Sequence, residues 1–489
     1  MKTTKLFFMA ALALTFAACS NDDADLLIPD QPLNTDGIPF KATISTGTSG
    51  TRGLTPDGDD LKATWEIGEK VALIHNGVND EMEVKSVDGD GVATIVGTIT
   101  GNPSTGDAVT VIYPSTAADG TTGNVKANLL YAQTNGTLAD VAAKYDVRKG
   151  TGTLKVNGTA SLNGNVSLDN QNAIFKFTIK NAAGSATIDI KALAATIGTT
   201  TYVTTPTAAT SELYFVLPAV TSQKVSFAAV GDAKIYAFSK TVSFDAGRYY
   251  QSTLKMSETN VVPGKFTVNS GGNKVQFAKG NLRYVSGVWG FFDTQDGCYD
   301  TYSANAWDKF GWVGQSGNLK NSTPEKWGVT TSETTAAYGT DLSDVLASDW
   351  KNVPGIGSGW STLSHAEWGY LFNTREVNGG TGAGHSYTLG QSVNDKLGVV
   401  IYPDNYTGTL YTTGANWSTF EAAGCVFLPA AGSRSGSSVT QFSSLGYYWS
   451  STSTGIYNAY FVYFNNTSLY TNNVERSNGH SVRLVRQVE

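Results

Sequence analysis

Phe40, Ala42 and Ile44 alternate with Lys41, Thr43 and Ser45. A period of two places one face of a strand in a core and the other in water. The glycine- and threonine-rich stretch from Thr46 to Gly58 reads as a loop and contains a lone basic residue, Arg52. Apolar runs at Lys70 to His75, Ala93 to Thr100 and Ala108 to Tyr113 predict further strands, because Asp-Gly, Gly-Asn and Pro-Ser turn signals separate them. Leu138 to Tyr145 predicts one short helix. A second unit repeats the style. Phe175, Phe177 and Ile179 alternate with Lys176, Thr178 and Lys180, and strands are predicted at Leu213 to Leu217, Lys224 to Ala228, Lys234 to Phe238 and Tyr249 to Met256. Strands recurring at roughly 8–12-residue spacing argue for a sandwich.

The pattern changes after Val261 to Gly264. Of 10 tryptophans only Trp65 precedes this point. Ser364-His365-Ala366-Glu367 has the spacing of a capping box, and Trp368, Leu371 and Phe372 share one helical face behind it. Ser418 to Ala423 predicts a second short helix, and late strands are expected at Tyr447 to Trp449, Tyr460 to Phe464 and Ser481 to Val485. The fold class expected is therefore mainly β, with two sandwich domains followed by an α+β domain. The boundaries expected are 38–150, 151–260 and 263–489, after a leader at 1–18 and an acidic tether at 19–37.

Composition and charge sharpen this picture. A chain of 489 residues is too long for one core. Only 15% of residues are charged and 53 are glycine, a balance that suits strands and tight turns. The net charge of -7 offers no basic face to nucleic acid or to an anionic membrane.

The N-terminal stretch supplies an address. Two lysines within Met1 to Lys5 precede the apolar or small run Leu6 to Phe16 and then Ala17-Ala18-Cys19, the parts of a secretory signal. The run is short of the ~20 apolar residues that span a bilayer. The terminal cysteine makes it resemble a bacterial lipoprotein signal, with acyl chains expected on Cys19; the other reading is an ordinary signal peptide. Ser20, Asn21, Asp22, Asp23 and Asp25 resemble the acidic tag that sends Bacteroidales lipoproteins to the outer face of the outer membrane.

Ile38 to Thr43, Thr51-Arg52, Trp65-Glu66-Ile67-Gly68-Glu69-Lys70-Val71 and Gly247-Arg248-Tyr249-Tyr250 resemble the fimbrillin family of Bacteroidales pili over residues 38 to 258. That resemblance implies export as a lipoprotein and cleavage after an arginine in the first loop, here between Arg52 and Gly53. It implies loss of the strand carrying Phe40, Ala42 and Ile44, and its replacement by a strand of another fimbrial subunit. Gly280-Asn281-Leu282, Phe310-Gly311-Trp312, Trp360-Ser361-Thr362-Leu363, Phe427 to Gly432, Gly446 to Ser451 and Gly479 to Arg483 resemble a C-type-lectin-like module. That module is related to the Fibrobacter major paralogous domain and to the formylglycine-generating-enzyme fold.

Candidate chemistry is sparse. His75, His365, His385 and His480 are the 4 histidines, and no Gly-x-Ser-x-Gly elbow occurs. His365 and His480 are read as structural. No metal or cofactor is expected, since Trp449-Ser450-Ser451 stands where calcium-dependent lectins place a Trp-Asn-Asp motif. Cys298 and Cys425 either pair in an oxidising compartment or remain free, Cys425 in an apolar run. Trp312 and Trp368 are read as core. Trp307, Asp308 and Trp327, near Asn305 and Lys326, are the candidates for contact with a glycan or protein, because rings bury area and polar neighbours fix orientation. The expectation is a non-enzymatic fimbrial tip adhesin, its head binding a glycan or a protein. The alternatives are a lipid-anchored surface protein that captures such ligands without polymerising and, more distantly, a cysteine enzyme on the formylglycine-type fold.

Overall fold

A computed structural model describes residues 37–46, 55–57, 60–62, 64–303, 305–312, 353, 355–454, 458–476 and 478–488. The fold is mainly β, as the alternation predicts. The first unit is an eight-stranded sheet in the order 159–162, 38–46, 166–170, 148–157, 108–113, 70–75, 78–87, 93–99. Its last strand returns to the first: Ile38–Thr46 runs antiparallel to Ala93–Ile99, from Ile38 opposite Ile99 to Ile44 opposite Ala93. On its other side the same strand runs parallel to Thr159–Leu162 and Val166–Asn170. It is the seam that closes the sheet on itself, and closure removes edges that would otherwise be left unpaired.

The first unit ends later than the expected boundary at 150. Gly150 and Gly152 read as a linker, yet they lie inside the strand Arg148–Asn157. This strand pairs antiparallel with Ala108–Tyr113. A Cβ on Gly150 would lie 2.3 Å from the Ser167 carbonyl oxygen, so the glycine is there to let two strands approach. The unit closes at Asn170.

The second sheet has the order 212–218, 172–181, 249–259, 235–244, 220–230, 192–197, 200–206, 132–135. Phe175, Phe177, Ile179, Leu213, Phe215, Val225, Phe227 and Leu254 build its core. Its final strand, Ala132–Asn135, comes from the chain segment before the unit and adds parallel to Thr200–Pro206. Gln133 secures this addition. Its buried amide donates to the Val216 carbonyl at 2.7 Å and accepts the Val216 N–H at 3.0 Å. The helix expected at 138–145 is present as a turn of α-helix, Leu138–Asp140, running into a π-helical turn, Val141–Tyr145. Leu61, Leu130, Val141, Tyr145, Ile174 and Val216 form a core shared by the two units.

The described part of the C-terminal unit is a set of small sheets with two helices, its buried residues in several clusters. The helix His365–Asn373 starts with the expected capping box: Glu367 N–H donates to Ser364 Oγ at 3.2 Å and Ser364 N–H to Glu367 Oε2 at 2.8 Å. It buries Trp368, Leu371 and Phe372. The final strand sits further along than expected. Val485–Val488 pairs with Lys274–Phe277, whereas Ser481 makes a single bridge to Tyr448. The helix Trp417–Ala422 packs Ala422 against Ala192, Ala194, Val203 and Val230 of the second sheet. Thr419 and Thr205 hydroxyls meet at 2.8 Å across the same junction. Among the described residues no helix is long and apolar enough to cross a membrane.

Gly150→Ala tests the reassigned boundary. Its methyl group would meet backbone rather than a flexible side chain, so we expect a loss of about 1–3 kcal/mol in denaturant unfolding of the first unit. A residue in a linker would show no such loss.

Candidate functional site

The first strand is built by its alternation. Phe40, Ala42 and Ile44 are 2%, 8% and 0% exposed. They enter a core with Trp65, Val71, Val84, Ile95, Val111, Leu154 and Leu168. Lys41 and Thr43 point to solvent. Backbone pairing on both sides and three apolar side chains on one face are what define this strand's place. Its removal would expose an apolar groove flanked by the unpaired backbones of Ala93–Ile99 on one side and 159–170 on the other. Such a groove fits a replacement strand with the same alternation. Arg52, Gly53 and Cys19 lie outside the described residues.

In the C-terminal unit the motif residues converge on one buried cation. Arg483 is 1% exposed. It donates to Asn281 Oδ1 at 2.9 Å and to the carbonyls of Ala278, Gln295 and Phe427 at 3.1, 3.0 and 2.9 Å. Asn281 donates to the Tyr448 hydroxyl at 3.1 Å, and that hydroxyl donates to the Pro429 carbonyl at 2.8 Å. Gln295 donates to Glu421 Oε1 at 3.0 Å and accepts the Phe427 N–H at 2.8 Å. Residues from four distant stretches are thereby tied together. A buried guanidinium needs this density of acceptors. The network is structural, and it leaves these groups no surface on which to meet a ligand.

Two of the expected contact residues are interior. Trp307 is 2% exposed and packs on Tyr284, ring centroids 4.5 Å apart. Asp308 is 1% exposed, accepting from Lys309 Nζ at 2.9 Å and from the Tyr299 N–H at 3.1 Å. Burial raises its carboxyl above the usual range, opposed by Lys309. Neither residue is a surface contact; the carboxylate beside the ring serves an internal ion pair. Trp327 and Lys326 lie outside the described residues. Trp312 and Trp368 are core, each 0% exposed.

Cys298 and Cys425 are free thiols rather than a disulfide. Burial pushes the Cys298 thiol up to about 12 and raises that of Cys425 as well. A thiol held protonated is a poor nucleophile. His480, 3% exposed, sits among Tyr447, Trp449 and Phe461, and burial lowers it to about 3. His365 stacks on Tyr460 at 4.0 Å and meets the Thr471 hydroxyl at 2.9 Å. Among the described residues no group of histidine, cysteine and carboxylate side chains could hold a metal ion.

A family described as a domain of unknown function, DUF8237, matches residues 413–485. These residues run from the helix Trp417–Ala422 to the start of the last strand and contain Tyr448 and Arg483 of the buried network. No curated protein sequence matches the chain. Among solved structures, a fimbrial protein from Bacteroides ovatus is similar at 11% identity and a TM-score of 0.24, covering 92% of this chain and 99% of its own. A fimbrial assembly protein from Parabacteroides distasonis is similar at 12% identity and a TM-score of 0.25, covering 50% of this chain and 96% of its own.

Two buried carboxyls make stability depend on pH. Burial raises Glu421 from 4.5 to about 7 in the folded chain. The folded state then holds a proton that the unfolded state releases, so this residue's contribution to stability falls as pH rises from about 4.5 to about 7. Glu69, raised to about 7 by burial, acts in the same direction in the first unit. Glu421→Gln should therefore leave the thermal midpoint of the C-terminal unit unchanged at pH 4 and raise it above the parent's at pH 8. Calorimetry at the two pH values checks this.

Proposed function

We propose that this chain is a subunit of a surface fimbrium, exported as a lipoprotein through Cys19, released by cleavage after Arg52, and joined to a neighbour by strand exchange. The observation that carries the proposal is the seam. A strand paired on both sides, with Phe40, Ala42 and Ile44 in the core, immediately precedes in sequence the segment that contains Arg52. Cleavage there separates the strand covalently from the unit it closes. A neighbour's strand with the same period of two restores both ladders and the apolar face.

A position at the tip is supported by the pairing of the last described strand. The strand Val485–Val488 is held by Lys274–Phe277 within the C-terminal unit, so it is engaged rather than offered to a neighbour. On this reading the chain accepts a strand at its first unit and carries the C-terminal unit outward as a head that binds a glycan or protein. The head acts by recognition and not by catalysis: Cys298 and Cys425 are held as thiols and His480 as a neutral, enclosed ring. A second reading, a lipid-anchored surface protein that never polymerises, is favoured by the completeness of the same seam, since a fully paired first strand is also what a stable monomer needs.

The two readings part at Arg52→Ala. Protein sheared from cells is analysed for its N-terminal residue by mass spectrometry and for size without boiling. For the parent we expect a start at Gly53 within high-mass ladders, and for the variant an uncut N-terminus and no ladder. A lipidated Cys19 start and monomers only, in both proteins, would overturn polymerisation and leave the anchored reading.

A further inference from the structure

Between the second sheet and the C-terminal unit lies a cleft of about 930 Å³. Its floor is one face of the sheet. Ser226 stands opposite Ser239 and Ala228 opposite Ala237, and Ala237 in turn stands opposite Ser257. Residues paired in this way share a face. Lys224, two residues before Ser226, and Lys255 and Thr259, two residues either side of Ser257, fall on the same face by the period of two. The opposite face carries Val225, Phe227, Leu254 and Met256 into the sandwich core. The solvent face is therefore paved with short side chains, most of them hydroxylated. Small residues leave a shelf that no side chain of the sheet fills.

The far wall belongs to the C-terminal unit and includes Lys265, Lys274, Gln276, Asp404 and Asn405. Asn405 reaches across to the Thr201 hydroxyl at 3.0 Å, which fixes the wall against the floor. Four lysines line the cleft and one carboxylate, Asp404, with which Lys274 is paired at 3.5 Å. That carboxylate is already engaged, by Arg375 at 3.0 Å and by the Thr267 hydroxyl at 2.7 Å and N–H at 2.9 Å. Lys224 and Lys255 are exposed. The cleft is thus a locally cationic surface on a chain whose net charge is -7.

We infer that this interdomain cleft binds an acidic oligosaccharide. The floor offers hydroxyl donors and acceptors to a hydroxyl-rich ligand, and the lysines offer charge to its carboxylate or sulfate groups. An acidic peptide is the poorer fit. Residues 225–230 of the floor are paired on both sides, to Ala192–Ile197 and to Ile235–Phe244, so this strand offers no backbone to extend a peptide's ladder. The rings of Phe227 and Phe238 pack on each other with centroids 6.3 Å apart, and Phe227 turns to the core. Tyr236 and Phe238 border the cleft with Phe227 but pack against the sandwich core, so charge and hydrogen bonds carry the binding, which must weaken as salt rises. This inference uses a surface separate from the seam, and it stands or falls independently of strand exchange.

The test is titration calorimetry on the full chain at low ionic strength. The probes are the hexamer of galacturonic acid, the neutral hexamer maltohexaose, and hexaglutamate. The expected result is saturable binding of the galacturonate hexamer, weakened by salt, with none for maltohexaose. Lys224→Ser combined with Lys255→Ser should weaken that binding about tenfold. Lys155→Ser, an exposed lysine on the first unit, should leave it unchanged. Matching thermal midpoints certify that the variants fold. No saturable binding of the galacturonate hexamer, equal binding of the neutral hexamer, or full binding by the double variant would each overturn the inference. Hexaglutamate binding as tightly as the galacturonate hexamer would overturn it in favour of a peptide site.

Discussion

The strand Ile38–Thr46 bears the constraint on which the first half of the molecule rests. It is paired to Ala93–Ile99 in one direction and to 159–170 in the other, so it closes a sheet that otherwise has two open edges. Its inward residues Phe40 and Ile44 seal the core from Trp65 to Leu168. Closure makes that unit a firm platform, and Ala132–Asn135 and the shared core around Tyr145 and Ile174 hang the second unit from it. A strand so placed has two properties at once. While present it completes the unit, and once cut free it leaves a groove with a defined register and a defined side-chain pattern.

The C-terminal unit spends its charged and aromatic residues inward. Arg483, Asn281, Gln295 and Tyr448 join segments far apart in sequence, and Arg476 and Arg486 lie over Trp312 and Trp360 at 4.5 and 4.2 Å. The described helices and sheets of this unit are short and need such ties, because short sheets bury too little area to hold themselves. On the proposed reading, recognition falls to surfaces whose polar groups are not already engaged. The sheet face bearing Lys224, Ser226, Ser239 and Ser257 is one, and the junction with the C-terminal unit turns it into a cleft.

Much of this architecture is readable from residue order. The alternation of Phe40, Ala42 and Ile44, and of Phe175, Phe177 and Ile179, names both strand and buried face, since a half-buried strand writes its orientation into every second residue. The Ser364–Glu367 box names a helix start for an equally local reason. What escapes is long-range. Gly150 and Gly152 carry the composition of a linker, and only the approach of Ser167 explains them as part of a strand. Trp307 and Asp308 look like a ring and a carboxylate set out for a ligand, but the partners that claim them, Tyr284, Tyr299 and Lys309, are disclosed by folding alone. Cys298 and Cys425 offer a pairing that spacing cannot decide, and the fold keeps them as separate thiols. The cleft has no local signature, because its lysines are drawn from two units.

Strand exchange requires that the first strand can leave and be replaced while the rest stays folded. Protein cut within 47–54 would be incubated with excess labelled peptide of residues 38–46 at temperatures up to its melting transition, and peptide uptake measured by native mass spectrometry. The predicted result is exchange of the resident strand for one labelled peptide, and no uptake when serine replaces Phe40, Ala42 and Ile44 in the peptide. A resident strand that never exchanges, or a serine peptide taken up equally well, would contradict it.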